Sequence, residues 1–353
     1  MFSHTYLQAR NKFLSLAKKH NAEITTYPHP LRGAENETLA TDVAILGKGP
    51  CAIMTVSATH GVEGFYGSAV QSMLMQDPHF KNQTIRFIHV HAINPWGFSH
   101  IRRYNENNID INRNFWDTPP LTFNKPYAKV HPWMCLKNLT RAELDRAAKV
   151  KNKLEKRYSI DQLKVALFGG QTTHPEGLQF AGYGHSWSRL CFENILTSTL
   201  EGVTSLLYCD LHTGLGPSGY PDILSTYEPG SKKQKLMIKL FGPIANLDDK
   251  NLATGQRVTN ETNSAVDSYC ALKRSMSCIT LALECGTVSV EEMLEALRIE
   301  HAAWFGSCSK KQFLHAKNKL KNAFYPNTSI WKKQALTLSK ERFELFCKIV
   351  KTL

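Results

Sequence analysis

The chain has 353 residues, of which 42% are hydrophobic and 21% charged, and this is the composition of a globular protein with a sizeable core. No stretch approaches the roughly 20 apolar residues that a membrane helix needs, so we expect no membrane partner. The nine cysteines are scattered without a CxxC pair. The odd count and irregular spacing argue against a disulfide framework and predict reduced thiols and a cytoplasmic location.

The net charge of +13 is high, and much of it lies near the C-terminus. One interpretation is a protein that binds nucleic acid or an anionic membrane surface. Because no nucleic-acid-binding motif accompanies the charge, we favour a solvated basic face and do not expect a nucleic-acid partner. The residues concerned are Lys310, Lys311, Lys317, Lys319, Lys321, Lys332 and Lys333.

The first hundred residues alternate between helical and strand patterns. Residues 1–20 are predicted to form an amphipathic surface helix, and residues 42–47 to form a strand. Residues 51–58 are almost continuously apolar, as in a strand buried on both faces. Helical periodicity follows over 64–75, and 85–93 is rich in β-branched residues. This succession predicts an α/β fold with parallel strand pairing.

The middle of the chain is less regular. Residues 115–135 are rich in proline and aromatic residues and lack periodicity. A helix is predicted from Thr140, which forms a capping box with Glu143, to about Lys156. Residues 168–188 are glycine-rich and predict a long shaped loop, either structural or contributing to specificity. Its candidate specificity residues are Gln171, His174, Tyr183 and His185.

Four more elements complete the prediction. They are a helix over 188–201, strands over 203–209 and 278–283, and a helix over 290–304 that opens with a Ser289–Glu292 capping box. No internal repeat or low-complexity linker interrupts the chain. We therefore predict a single domain over residues 1–353, with a helix and loop insertion around 115–200.

Ionisable side chains follow three of the predicted strands. His60 and Glu63 come after one strand, His212 after another and Glu284 after a third. Ligands of open α/β sheets bind at the carboxyl ends of the strands, so these side chains are expected to converge. Two His and one Glu form a ligand set of catalytic zinc that leaves a position for water. Alone, a His-x-x-Glu spacing is a weak signal in a chain with 14 histidines.

The segment Arg102–Phe115, RRYNENNIDINRNF, is a more specific signal. It concentrates arginine, asparagine and aspartate beside apolar residues, and such groups are costly to bury unless they bind something. Guanidinium groups suit carboxylates and developing oxyanions. A solvated polar loop is the alternative interpretation.

Five segments occur in order along the chain: HGVEG, NPWG, RRYN…DINRNF, DLHTG and LALECGT. This series resembles the M14 zinc carboxypeptidase superfamily, and most closely its bacterial DUF2817 group. Succinylglutamate desuccinylase and aspartoacylase form a related branch. The resemblance covers residues 55–290 and implies a zinc carboxypeptidase-like, phosphorylase/hydrolase-like fold. In that fold, three α/β/α layers enclose a mixed, largely parallel sheet.

The resemblance also implies a metal centre with one zinc ion. His60, Glu63 and His212 match the zinc ligands of the superfamily. Asp110 matches the carboxylate that orients the first of the two histidines.

Further roles follow from the same match. Glu284 matches the general base and acid, and Arg103 matches the arginine that polarises the scissile carbonyl, with Arg102 as its rival. Asn112 and Arg113 match the pair that binds the terminal carboxylate of the substrate. The implied function is a zinc metallohydrolase, carboxypeptidase-like, that cleaves an amide or peptide bond next to a substrate carboxylate.

One feature of the superfamily is missing. Classical carboxypeptidases carry a tyrosine on a mobile loop upstream of the catalytic glutamate, whereas Thr254–Ser264 contains none. Tyr220, Tyr227 and Tyr269 are possible substitutes. The absence argues against ordinary C-terminal peptide trimming and slightly favours a small acylated amino acid or an unusual peptide as the substrate.

Two alternatives therefore stay open. One is an N-acyl-amino-acid deacylase of the aspartoacylase or succinylglutamate desuccinylase type, and the other is a basic protein that binds nucleic acid or a membrane surface. The expected partner is a small peptide or acylated amino acid that carries a carboxylate, and the sequence does not decide the oligomeric state. His89 and His91 share a strand face and could hold a second metal. We favour core histidines because no acidic partner is evident nearby.

Overall fold

A computed structural model describes residues 1–80, 84–116, 124–242, 245–246, 261–273 and 276–353. Within these residues, eight strands form one sheet in the order β1-β2-β4-β3-β5-β8-β6-β7. The strands are β1 Glu23–Arg32, β2 Thr38–Leu46, β3 Cys51–Ser57, β4 Ile85–His91, β5 Ser205–Gly214, β6 Pro221–Ser225, β7 Ala245–Asn246 and β8 Ser277–Gly286.

The described ranges also contain twelve α-helices. They are α1 Tyr6–Lys19, α2 Gly64–Gln76, α3 Pro95–Ser99, α4 Tyr127–Met134, α5 Arg141–Arg157, α6 Ile160–Phe168, α7 Trp187–Thr199, α8 Lys232–Phe241, α9 Thr262–Leu272, α10 Val290–Phe305, α11 Lys310–Phe324 and α12 Ser329–Ile349. No helix among the described residues is long and apolar enough to cross a bilayer.

The centre of the sheet is parallel. Strands β4, β3, β5 and β8 pair in parallel, while β1, β2 and β6 join in antiparallel pairs. Along β3, Ile53 belongs to the apolar cluster that includes α2 and α12, and its neighbours Ala52 and Met54 belong to the cluster that includes α7 and α9. Side chains that alternate between two buried faces require helices on both sides. The predicted α/β/α layers around a mixed, largely parallel sheet are confirmed.

Two strands outside the parallel centre of the sheet, β1 and β6, are not detected by periodicity. β1 carries Pro28 and Pro30 and is largely exposed, so it lacks a clear apolar pattern. Proline is tolerated there because β1 lies at the sheet edge, where an N–H group is not needed for pairing. β6 is only five residues long, which is too short to show alternation.

The region predicted as an insertion is mostly helical. The prediction of irregular structure over residues 115–135 is wrong from Tyr127 onward, where α4 forms around an internal Pro132; residues 117–123 lie outside the described ranges. Helices α4, α5 and α6 share an apolar cluster with α10 and α11. The single-domain organisation stays a prediction.

The two predicted capping boxes differ in outcome. Ser289 and Glu292 cap α10 reciprocally, as predicted. Thr140 accepts the N–H of Glu143 at the start of α5, but the Glu143 carboxylate accepts from the Lys137 N–H instead. The Glu143 carboxylate also forms an ion pair with Arg146. Only the hydrogen bond to the Thr140 side chain is therefore formed, and the reciprocal bond to the Thr140 N–H is replaced by the one to Lys137.

The basic C-terminal region is not uniformly a solvated face. Lys310, Lys311 and Lys333 are exposed. Lys317, by contrast, is buried, and its Nζ lies 2.6 Å from Glu300 Oε1. The Lys321 ammonium lies 4.2 Å from the ring centre of Phe65. Part of the high positive charge therefore serves packing within the fold.

Candidate functional site

The predicted ligands meet at the carboxyl end of the parallel strands. His60 follows β3, and Glu63 lies at the end of a one-turn 3-10 helix, Gly61–Glu63, that comes next in the chain. His212 and Glu284 were predicted to follow their strands, but β5 and β8 continue to Gly214 and Gly286 and contain them. The two residues are register partners, so their side chains project from adjacent strands on the same face.

The three candidate ligands surround one point. His60 Nδ1 lies 2.9 Å from Glu63 Oε1, and His212 Nδ1 lies 2.9 Å from Glu63 Oε2. One ligand atom from each residue falls within 4.8 Å of the others, and all three side chains are buried. Within the described part of the chain, no other group of three such residues is arranged in this way.

Each histidine has a carboxylate behind it. His60 Nε2 lies 3.1 Å from Asp110 Oδ1, as predicted for the orienting residue. His212 Nε2 lies 2.9 Å from Asp210 Oδ2, in a close ion pair rather than an aligned hydrogen bond. A carboxylate at Nε2 favours the tautomer whose Nδ1 lone pair faces the central cluster.

Asp210 was missed by the sequence analysis, although it lies in the quoted DLHTG segment. Its spacing from His212 could have identified it, because residues two apart on a strand lie on the same face of the sheet. Asp210 is 1% exposed and also accepts the hydroxyls of Thr59 and Thr262, at 2.8 and 2.7 Å. It is therefore held rigidly beside His212.

The donor set fits a divalent cation. Burial opposes ionisation of Glu63, yet the adjacent His60 and His212 hold its pKa below the usual range. Burial also opposes protonation of His212, but Asp210 and Glu63 raise its pKa well above the usual value. Three buried carboxylates, those of Glu63, Asp110 and Asp210, thus surround the two imidazoles. A cation at the point where both Nδ1 atoms face Glu63 would be stabilised by this negative charge. Imidazole and carboxylate are ligands that zinc accepts.

The two neighbouring arginines have different environments. Arg102 is 1% exposed, binds Glu300 Oε1 through Nε at 2.9 Å, and lies 4.4 Å from the ring centre of Trp304. Arg103 instead lies at the cluster, where its Nε donates to Asp110 at 3.2 Å and its Nη1 to Glu63 at 3.4 Å. Of the two rivals, only Arg103 stands beside the candidate metal ligands.

Glu284 lies beside the cluster without being one of its members. Its Oε1 accepts the N–H of Leu215 at 2.8 Å. Burial and the neighbouring charge of Glu63 raise the pKa of Glu284 to about 7. A carboxyl group with a pKa near neutrality can both accept and return a proton at physiological pH.

Glycines in two of the motifs explain how distant segments meet. A Cβ at Gly61 would come within 2.1 Å of the carbonyl carbon of Gly97. A Cβ at Gly97 would come within 2.5 Å of the Tyr104 carbonyl oxygen. The segments HGVEG and NPWG therefore pack backbone to backbone. The Gly61 and Val62 N–H groups then donate to the carbonyls of Arg103 and Arg102, at 3.1 and 2.8 Å.

Asn112 and Arg113 follow Asp110 closely in the chain, but their side chains lie beside the start of α9. The side-chain oxygen of Asn112 accepts the N–H of Thr262 at 3.2 Å. Arg113 donates to the main-chain carbonyls of Phe168 and Asn112, and its Nη1 lies 3.7 Å from Glu261 Oε1. Glu261 is a buried residue that the sequence analysis did not single out.

The asparagine-rich segment also supports the loop over 168–188. Asn108 donates to the carbonyls of Pro175 and Gly177, and Asn114 to those of Ala181 and Gly184. The side-chain amides of these two asparagines therefore donate to backbone carbonyls of the loop. Asn108 and Asn114 bind the main chain of this loop rather than solvent.

Within that loop, the specificity candidates have different surroundings. Gln171 is buried, and its amide bonds to His174 and Leu178 carbonyls within the loop itself. His174 packs against His131, with ring centres 4.2 Å apart. Tyr183 is exposed, and His185 packs against Trp116 at 5.5 Å. Gln171 and His174 therefore have internal packing partners.

The possible substitute tyrosines are engaged elsewhere. Tyr227 is buried, and its hydroxyl accepts the N–H of Thr280 at 2.9 Å. Tyr220 hydrogen-bonds Arg342, and the ring of Tyr269 faces Lys273. Residues 254–260 of the expected tyrosine segment lie outside the described ranges.

His89 and His91 are core residues, as favoured from the sequence. His89 contacts the Thr55 hydroxyl at 2.8 Å, and His91 contacts the Ser68 hydroxyl at 3.0 Å. Burial lowers the pKa of both, to about 3 and about 4 respectively. These residues therefore fill the interior as neutral imidazoles.

If the cluster holds a divalent cation, we expect Asp210→Asn to weaken binding of that ion about 10- to 100-fold, because loss of a carboxylate that orients a ligand has this effect in metal sites. Competition with a chelator of known affinity measures the change. Asp145→Asn, on the exposed face of α5, is the control and should leave the affinity unaltered. An unaltered affinity in Asp210→Asn would mean that Asp210 serves only its two threonine partners.

Comparison with known proteins places the chain in a family. No curated protein matches it in sequence. Its fold is similar to that of thrombin activatable fibrinolysis inhibitor, with 11% identity, a TM-score of 0.46, and coverage of 92% of this chain and 75% of the other.

Two bacterial structures are also similar. For the murein-tripeptide amidase MpaA of Escherichia coli O157, identity is 14%, the TM-score 0.39, and coverage 81% of this chain and 93% of the other. For an aspartoacylase family protein of Mesorhizobium loti, the values are 15%, 0.38, and 75% and 61%. The family profile described as "Protein of unknown function (DUF2817)" matches residues 2–338, and the chain belongs to this family.

Proposed function

We propose that the protein is a zinc-dependent metallohydrolase that cleaves an amide or peptide bond next to a substrate carboxylate. The observation that carries this proposal is the buried cluster of His60, Glu63 and His212, with a carboxylate behind each histidine. Glu284 lies alongside with a pKa near neutrality. A closed structural zinc site would not need an additional proton acceptor beside three protein ligands.

In this proposal His60, Glu63 and His212 hold the ion. Zinc, when bound, supplies Lewis acidity that makes a water molecule acidic near neutral pH. Glu284 accepts a proton at its carboxylate and returns it to the leaving nitrogen. Its anchored Oε1 leaves the other oxygen to carry that proton.

Arg103 supplies fixed positive charge for the developing oxyanion. Its guanidinium is held by two buried carboxylates, so it does not have to reorganise as negative charge develops on the substrate. Arg113 and Asn112 bind the substrate carboxylate. Three of the five N–H groups of Arg113 go to main-chain carbonyls, which fixes its orientation and leaves two for a ligand.

Metal analysis tests the proposal. We expect about one zinc per chain, and we expect His60→Ala to lose it because the remaining pair of ligands binds zinc far more weakly. The measurement is elemental analysis after dialysis. His100→Ala is the matched control, because this histidine stacks on Trp96 outside the cluster. Full zinc retention by His60→Ala would contradict the assigned ligand set.

A substrate panel tests the reaction. Hydrolysis of C-terminal dipeptides and N-acyl amino acids should be sensitive to a chelator and restored by zinc. Cleavage of acyl amino acids alone would identify a deacylase, and release of C-terminal residues would identify a carboxypeptidase. If a zinc-loaded protein cleaves neither class, the proposed reaction is wrong.

A further inference from the structure

Two free thiols meet where helix α9 ends and strand β8 begins. Cys270 lies in the last turn of α9, and Cys278 is the second residue of β8. The Cys278 thiol donates a hydrogen bond to the Cys270 sulfur. The Cys270 Sγ also lies 3.3 Å from the Sδ of Met276. Three sulfur atoms therefore lie in one cluster, outside the candidate metal centre.

Regular structure holds both thiols in place. Cys270 packs with Val266 of the same helix in the apolar cluster on one side of the sheet. Cys278 is the register partner of Leu206 in β5, so its backbone is fixed by the parallel pairing of the two strands. The contact between the thiols is thus a product of how α9 packs on β8. A covalent bond between the two sulfurs would join these elements directly.

The two cysteines differ in how readily each loses its proton. The hydrogen bond from Cys278 lowers the pKa of Cys270, although burial opposes this. The same hydrogen bond, together with burial, raises the pKa of Cys278. Because the thiolate is the nucleophilic form of cysteine, Cys270 is the attacking sulfur and Cys278 the thiol that keeps its proton. A low-pKa thiol beside a second cysteine is the arrangement of redox-sensitive pairs.

Access to the pair selects a small reagent. Cys270 is only 4% exposed, whereas Cys278 and Met276 are half-buried. A hydroperoxide is small enough for a site of this kind, while a bulky disulfide reagent would have to displace the packed end of α9.

We propose that Cys270 and Cys278 are an oxidation site of the protein and form a reversible disulfide in the presence of a hydroperoxide. The Cys270 thiolate attacks one oxygen of hydrogen peroxide, the O–O bond breaks, and hydroxide leaves as Cys270 becomes a sulfenic acid. The Cys278 sulfur then attacks the Cys270 sulfur, and the S–O bond breaks. The departing oxygen takes the Cys278 proton and leaves as water.

The electrons and protons balance in this sequence. The two thiols give up two electrons to hydrogen peroxide, and the proton that Cys270 had lost neutralises the hydroxide, so two waters form for each disulfide. A thiol reductant restores both cysteines by exchange. Disulfides of this transient kind are the ones expected in a reducing compartment.

The crosslink would connect two elements that carry parts of the candidate site. Helix α9 begins at Thr262, whose hydroxyl donates to Asp210 at 2.7 Å, and β8 carries Glu284. The inference concerns a reaction of the protein itself and holds whether or not the proposed hydrolysis is correct.

Peptide mapping of the full-length protein tests the assignment. The reduced protein is treated with hydrogen peroxide, its remaining thiols are alkylated, and it is digested with trypsin without reduction. Trypsin cleaves after Lys273 and Arg274, which lie between the two cysteines in the sequence. We therefore expect two peptides that stay joined in the mass spectrum and separate when a thiol reductant is added.

Matched variants identify the partners. Cys278→Ser should lose the joined peptides and accumulate a Cys270 sulfenic acid, which dimedone traps. Cys51→Ser is the control and should keep them, because Cys51 is also half-buried and begins a strand. Thermal unfolding of the reduced proteins checks that both variants fold.

Two results would overturn the inference. One is a wild-type protein that forms no joined peptides at a peroxide concentration that oxidises Cys51. The other is persistence of the joined peptides in Cys278→Ser, which would make Cys285 the partner because the same tryptic peptide carries it.

Discussion

Glu284→Gln should lower the turnover number about 10²- to 10⁴-fold, which is the contribution of a positioned general acid–base group. Glutamine keeps the shape of the side chain and can still accept the Leu215 N–H, but it cannot take up a proton. Glu284 is not one of the three candidate ligands, so zinc content should stay unaltered. Parallel measurement of zinc per chain and of the turnover number separates the two effects.

The control for this experiment is Glu292→Gln. Glutamine can replace glutamate in the capping box of α10, so this variant should keep both zinc and turnover. Turnover in Glu284→Gln comparable with that of the wild type would remove Glu284 from its proposed role. Loss of zinc in the same variant would make it a ligand instead.

Glu300→Gln should destabilise the fold by about 3–5 kcal/mol, the usual effect of removing one partner from a buried ion pair. Glu300 Oε1 lies 2.9 Å from Arg102 Nε and 2.6 Å from Lys317 Nζ, and all three residues are buried. Without the carboxylate, two cations are left close together in the interior. Urea unfolding monitored by fluorescence measures the change in the free energy of unfolding.

Two further variants define the origin of this effect. Glu295→Gln, on the same helix, breaks a more exposed pair with Arg298 and should cost about 1 kcal/mol or less. Adding Lys317→Met to Glu300→Gln removes one of the unpaired cations and should restore part of the stability. If Glu300→Gln and Glu295→Gln unfold at the same urea concentration, the buried triad contributes no special stability.

The triad also connects stability with the site. Arg102 adjoins Arg103, and the backbone carbonyls of both residues receive the N–H groups of the turn that carries Glu63. Opening of the triad would therefore disturb the candidate metal ligands as well as the packing of α10 and α11. The rival arginine thus acts as a support for the site.

Much of the fold could be predicted because the relevant signals are local. The apolar run of β3 and the helical periodicity of α2 depend on neighbouring residues, and both elements lie where periodicity places them. Exposed or short elements such as β1 and β6 carry no comparable pattern. They are strands because pairing partners from elsewhere in the chain satisfy their backbone groups.

By itself, the sequence determined which side chains follow or end the parallel strands: His60, Glu63, His212 and Glu284. This was possible because strand direction and residue spacing place them at one sheet edge. Only the tertiary structure showed that Arg103, and not Arg102, lies beside the candidate ligands, since the partner of Arg102 is 198 residues away. It alone placed Asp210 behind His212 and Glu261 beside Arg113, because burial and charge pairing depend on residues that meet only when the sheet and its helices assemble.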